Sequence, residues 1–281
     1  MNIKSALATF FKRYFFIVGI LCHVFVVGFI ALKPDLFFKV TDKVLEKYYS
    51  TAKQAERAEL LKFPSIKDEI AAVFKPWRPL PSYPATKTHL LNGVPVDSLS
   101  DALKRLKPGD VLEIAEGVYQ SPIILNVDRV TLIGRGHVVF EKAAARGKGY
   151  IINTANDITI KNIECRNISV PDRNGACIRQ EGANLTLEHV YFRNSENGIL
   201  ESTNKPSKIL IYDSRFEQLG RAGRAHGIYT NTAQLYIYDS LFIAAKGEGH
   251  EIKSRGAITE IHGSIIPSLS SVDSRLLDVP N

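Results

Sequence analysis

The chain has 281 residues, 45% of them hydrophobic, and a formal net charge of +7, which suits one large domain with an appendage. The positive excess is local: from Asp97 onward 22 Lys plus Arg face 22 Asp plus Glu. All of it therefore lies in residues 1–96, and the remainder has no global basic field. With a single Trp, no zinc-finger spacing and no Walker loop, nothing supports nucleic-acid or nucleotide binding.

In chain order, the first feature is an uncharged run from Tyr14 to Leu32, preceded by Lys4, Lys12 and Arg13. Its 19 residues, at about 1.5 Å each, match a bilayer core. The basic flank predicts a cytoplasmic segment at 1–13, a single transmembrane helix at 14–32 and export of the chain beyond it. No small-residue cleavage site follows the run, so an uncleaved anchor is expected rather than a signal peptide. His23, without an acidic partner in the run, reads as incidental. Residues 41–61 are charged and Ala-rich at helical spacing, a second short helix is expected at 66–74, and 33–75 reads as a helical stalk. Pro76, Pro79, Pro81, Pro84 and Pro95 mark 76–95 as a stiff linker.

A short amphipathic helix is expected at Ser98–Leu106, with apolar residues at 99, 102, 103 and 106 and Ser98 at its cap. Lys107-Pro-Gly-Asp110 stops it. Val111–Ala115 reads as a strand, and Glu116-Gly-Val-Tyr119 as a turn into Ile123-Ile-Leu125.

From there a hydrophobic phrase recurs. Ile158-Thr-Ile-Lys-Asn-Ile-Glu-Cys165 is followed by Leu185-Thr-Leu-Glu-His-Val-Tyr-Phe192. Ile209-Leu-Ile-Tyr-Asp-Ser-Arg-Phe216 and Leu235-Tyr-Ile-Tyr-Asp-Ser-Leu-Phe242 come next. Each has apolar residues at positions 1, 3 and 8, and weaker copies begin at Val130 and Thr259. The starts are separated by 28, 27, 24, 26 and 24 residues, the period of a solenoid. Alternation of period two makes the unit a strand. A second strand signal precedes the phrases, at Tyr150–Asn153, Cys177–Gln180, Gly198–Glu201, Gly227–Thr230 and Glu251–Ser254. Two or three short strands per repeat predict an all-β fold, a parallel β-helix over residues 96–281.

The helix, the Pro-Gly-Asp stop, the strand and Gly117-Val-Tyr119 together resemble the entry to the pectin-lyase-like right-handed parallel β-helix superfamily. They are similar in particular to the alginate lyase and chondroitinase B group. The resemblance covers roughly residues 96–281. It implies a right-handed coil and lyase or epimerase chemistry on uronate polymers, often with calcium. The chain lacks the Asp-Pro-His-Asp motif of the alginate epimerases, and no acidic trio shares a column.

In a solenoid, residues at equal phase stack into columns. Aligned on Ile178, Ile199, Ile228 and Ile252, the next position holds Arg179, Leu200, Tyr229 and Lys253. Three steps on are Glu181, Ser202, Asn231 and Arg255, and two steps back are Ala176, Asn197, His226 and His250. The last two coils thus gather basic and hydrogen-bonding groups. His226, Tyr229, His250 and Lys253 are the expected acid–base residues. Asn231, Lys253, Arg255 and Arg179 are the expected substrate-binding residues. Arg and Lys neutralise a uronate carboxylate, which acidifies the adjacent C–H for removal by a general base. No metal ligands are assigned. The bland alternative is a side-chain ladder that only stabilises the coils.

The column Asn162, His189, Asp213, Asp239 reads as turn-supporting. Cys22, Cys165 and Cys177 are expected to be small buried hydrophobes without a disulfide. Ser274–Asn281 looks like the start of a further coil, which implies a longer array, a truncated product or a partner covering that end. The expected function is processing of an anionic polysaccharide at the cell envelope. The alternative is a non-catalytic glycan-binding or assembly protein.

Overall fold

The structure is a computed structural model that describes residues 14, 15, 18, 19, 68, 70, 72, 74–81, 87–203, 205–269 and 272–279. The expected membrane span and stalk fall almost wholly outside these residues. No helix among the described residues is long and apolar enough to cross a membrane. The chain divides into two units, Met1–Glu56 and Arg57–Asn281.

The second unit is a parallel β-solenoid. Six strand triplets succeed one another: β3 (Val111–Ile114), β4 (Gly117–Tyr119), β5 (Ile123–Leu125); β6 (Thr131–Gly134), β7 (Val138–Glu141), β8 (Gly149–Asn153); β9 (Ile158–Lys161), β10 (Glu164–Arg166), β11 (Ala176–Gln180); β12 (Leu185–Glu188), β13 (Tyr191–Arg193), β14 (Asn197–Glu201); β15 (Lys208–Tyr212), β16 (Arg215–Glu217), β17 (Ile228–Thr230); and β18 (Gln234–Tyr238), β19 (Leu241–Ile243), β20 (Ile252–Ser254). β21 (Thr259–His262) and β22 (Leu277–Asp278) continue the array. First members of the triplets form sheet 1, second members sheet 2 and third members sheet 3.

The register matches the sequence phase. Ile158, Leu185, Ile209 and Leu235 pair in sheet 1, as do Ile160, Leu187, Ile211 and Ile237, and all are buried. Position 8 stacks Cys165, Phe192, Phe216 and Phe242 in sheet 2. The Phe216 and Phe242 rings lie 4.6 Å apart. Each eight-residue phrase is nonetheless two strands, not one. Position 5 bends it between sheets: Asn162, His189, Asp213 and Asp239 have φ of 53, 52, 44 and 48°. That is the left-handed region, which Asn, Asp and His tolerate better than most residues. Gly263 stands at the same phase with φ 57°. The turn-supporting reading of this column holds.

The N-terminal end is capped. Helix α1 (Leu99–Arg105) starts at Ser98, whose side chain accepts the Asp101 N–H at 3.1 Å. It buries Ala102 and lays Leu99 and Leu103 on the core. β1 (His89–Leu91) and β2 (Val94–Val96) form a hairpin whose first strand pairs antiparallel with β3. Its turn is Asn92-Gly93, both at positive φ, as a two-residue hairpin turn requires. That dipeptide was legible in the stretch expected to be linker. Gly117–Tyr119, expected as a turn, is a strand.

The Pro-rich stretch is not a free spacer over its described part. Residues 74–81 lie as a strap along the corner between sheets 1 and 2. Leu80 N–H donates to Asn162 Oδ1 at 2.8 Å. His189 Nε2 sits 2.8 Å from the Arg78 carbonyl. Trp77 Nε1 donates to the His189 carbonyl at 3.3 Å, and its ring meets His189 at 5.4 Å and Tyr191 at 5.5 Å.

A disulfide joins Cys165 on β10 to Cys177 on β11, overturning the expectation of two thiols. The two residues are 12 apart in sequence. Both point inward from different sheets of one coil, which brings them face to face. Closing that loop adds about 2–4 kcal/mol.

The core column and the disulfide each have a measurable consequence. Ile211→Ala leaves a hole in a column buried on every side, and a loss of about 2–5 kcal/mol in urea unfolding is expected. Alkylation of the denatured, unreduced chain should modify Cys22 alone, and all three cysteines only after reduction.

Candidate functional site

The sheet 3 strands carry the expected site residues. Ile178, Ile199, Ile228 and Ile252 pair in one buried column. One step on, Arg179, Leu200, Tyr229, Lys253 and Asp278 pair on the outer face. Arg179 is separated from Tyr229 by Leu200, and its guanidinium holds Glu181 at 3.3 Å. It does not join the others.

The two histidines behave unlike the rest. His226 is fully buried, and its ring stacks on His250 at 4.7 Å and 8°. The Asn197 Oδ1 accepts the His226 N–H at 2.8 Å, and His226 Nδ1 accepts the His250 N–H at 3.0 Å. Each side chain thus satisfies a backbone donor of the next coil. A neutral imidazole that accepts at Nδ1 carries its hydrogen on Nε2. His226 Nε2, His250 Nδ1 and Asn197 Nδ2 have no hydrogen-bond partner among the described residues. Burial, with His250 and Lys253 adding to it, pushes the His226 imidazole down to about 3. Burial also lowers His250.

The remaining residues form a compact patch. Tyr229 meets the His226 ring edge-on at 5.8 Å, and Lys253 Nζ lies 4.9 Å from the Tyr229 ring centre. Arg255 is held by Asp278, with 2.6 Å to the carboxylate and 2.9 Å to the carbonyl oxygen. Asp278 Oδ2 is also 3.4 Å from His250 Nε2, and the Arg255 bond holds its carboxyl below the usual range. Asn231 is exposed beside them. Its backbone N–H donates to the buried Glu201, which also takes the N–H groups of Thr232 and Ala233.

Sequence reasoning missed Asp278 and Glu201. Asp278 follows Lys253 by 25 residues, one repeat, and that interval was the available signal. Glu201 stands two steps beyond Ile199, an inward phase where a carboxylate must find donors. Calcium needs several converging oxygen ligands. Asp278 is committed to Arg255, and no group of three or more His, Cys, Asp or Glu among the described residues could hold a metal ion. The residues of this face therefore do not fit that ion.

What the arrangement offers is a cationic, hydrogen-bonding outer face on a rigid sheet, with one partly exposed neutral histidine at its side. The chain matches no family model, no curated protein and no solved structure, so its fold rests on its own strand pairing and packing.

The buried groups set a pH dependence. The folded protein refuses the proton that an unfolded His226 accepts below 6.5. The stability due to neutral His226 is thus present above 6.5 and lost as pH falls towards 3. Burial pushes the neighbouring Glu251 carboxyl up to about 8 from 4.5. Its contribution is present below 4.5 and lost as pH rises through 8. Urea midpoints across this range should decline above about 6.5, and Glu251→Gln should flatten that alkaline decline.

Proposed function

We propose that this chain is a membrane-anchored, exported β-solenoid of the right-handed, pectin-lyase-like kind. In this reading the outer face of sheet 3 processes an anionic, uronate polysaccharide by lyase or epimerase chemistry. The observation that carries it is the grouping of Tyr229, Lys253 and Arg255 over two coils, with Asp278 fixing Arg255 and flanking His250. Arg255 and Lys253 take the uronate carboxylate, and its neutralisation acidifies the C5 proton. His250, kept neutral by burial, or Tyr229 removes that proton. In a lyase the C4–O bond then breaks, its electron pair leaves with the oxygen, which takes a proton from the protonated base or from water, and a C4–C5 double bond forms. In an epimerase a proton returns to the opposite face of C5. His226 lies too deep to touch a polymer, so its part is to hold the His250 backbone and back the Tyr229 ring.

Export is supported by two features. The basic flank before the uncharged run favours a cytoplasmic N-terminus. The Cys165–Cys177 bond suits an oxidising compartment.

A second reading is a non-catalytic glycan-binding or envelope assembly protein, with a partner over the C-terminal coils. It is favoured by the His226–His250 ladder, in which His226 serves a backbone donor.

The test is a panel of uronate polymers with the full-length chain. Lyase action appears as ultraviolet absorbance of unsaturated product, and epimerase action as solvent deuterium at C5. Lys253→Ala and Arg255→Ala should each weaken binding about tenfold without unfolding the protein, since both half-buried side chains lie outside the hydrophobic core. That binding should weaken further in salt. Full binding with no turnover would favour the second reading, and unchanged affinity in both variants would remove this face from either.

A further inference from the structure

The strap engages only part of the corner column. It bonds to Asn162 and His189 through Leu80, Arg78 and Trp77. Beyond them, towards Asp213, Asp239 and Gly263, a cleft of about 750 Å³ opens between Phe74–Arg78 and the turns. That size falls in the range of small-molecule sites.

Three features describe what the cleft would hold. Trp77 lines it, with its ring fixed against His189 and Tyr191 yet still partly exposed. Its charges offset one another: Lys75, Arg78 and Arg215 face Asp213 and Asp239. Arg215 already answers Glu217 at 3.1 Å, and Asp213 answers His189 at 2.7 Å. No strong field of one sign remains for an ion. The polar groups repeat at coil spacing: Asp213 and Asp239 occupy one phase. The residues just before them, Tyr212 and Tyr238, stack at 5.1 Å, with His262 a further 5.2 Å on. Carboxylates thus recur along the solenoid axis beside Trp77, and the tyrosine row stands next to the cleft without lining it.

We propose that this cleft binds a neutral, hydroxyl-rich linear oligosaccharide lying along the solenoid axis, with Trp77 packing on a sugar ring. Asp213 and Asp239 meet hydroxyls of successive units. The site lies at the corner of sheets 1 and 2 and does not depend on the chemistry of sheet 3.

Trp77 is the only tryptophan of the chain, so its fluorescence reads this cleft directly. The full-length chain is titrated with cello- and manno-oligosaccharides of increasing length, with calorimetry alongside. A saturable change in Trp77 emission is expected for at least one series, with affinity rising with length and insensitive to salt. Asp239→Gly removes a carboxylate but keeps the turn, since Gly263 adopts the same conformation at that phase. It should weaken binding about tenfold. Tyr238→Phe, outside the cleft lining, keeps the ring stack and should bind as the parent does. The proposal is overturned if neither series shifts Trp77 emission, or if Asp239→Gly binds as the parent does. It is also overturned if only uronates shift that emission, in a salt-sensitive way. Loss of uronate binding in Lys253→Ala with the Trp77 response intact would keep the two sites apart.

Discussion

Parallel register is the constraint on which this molecule depends. Every strand residue meets the residue of equal phase one coil away, at the spacing of hydrogen-bonded strands. A column is therefore a single environment shared by all its members. Inward columns become continuous rods of Ile, Leu and Phe, and no coil can bury its apolar side without the next. The same rule spreads polar residues into rows, so an outward row is a surface with a built-in repeat.

Register also leaves backbone groups to satisfy where strands begin and turn. Side chains of neighbouring coils meet them. Ser214, Ser240 and Ser264 accept the N–H groups of Val190, Ser214 and Ser240 in succession. Asn197 and His226 do the same for His226 and His250. Glu201 collects three consecutive N–H groups. An unmet buried donor costs about 1–3 kcal/mol, which is reason enough for polar residues at inward phases. It also divides the candidate site: His226 belongs to this supporting ladder, whereas Tyr229, Lys253 and Arg255 face outward.

Elements outside the repeat add what a bare solenoid lacks. The hairpin β1–β2 and helix α1 cover the open N-terminal end and its strand edge. The disulfide ties two sheets of one coil across a long loop. The strap runs over the corner turns, with Trp77 set among His137, His189 and Tyr191. Its three prolines limit the freedom lost on docking, because their φ is already fixed.

Much of this was legible in the chain, because period and parity are local properties. The spacing of the phrases determined the coils, and the columns at Ile160, Leu187, Ile211 and Ile237 followed directly. The change of parity between positions 3 and 8 held the corner as well: one residue between them must break the alternation, and Asn162, His189, Asp213 and Asp239 are that residue. Asn92-Gly93 carries a hairpin signal as well, although the prolines around it suggest a linker. By itself the sequence thus determined the solenoid, its register and the phase of each candidate residue. Other facts arise from contacts between segments that no local pattern relates, and only the tertiary structure decided them. Cys165 and Cys177 meet because two sheets of a coil face each other across the core. Arg255 finds Asp278 because β22, one coil on, pairs with β20. His226 is sealed because a parity that repeats the inward one also fills the space beneath Tyr229. Trp77 lies 112 residues from His189, and that distance is closed only by folding.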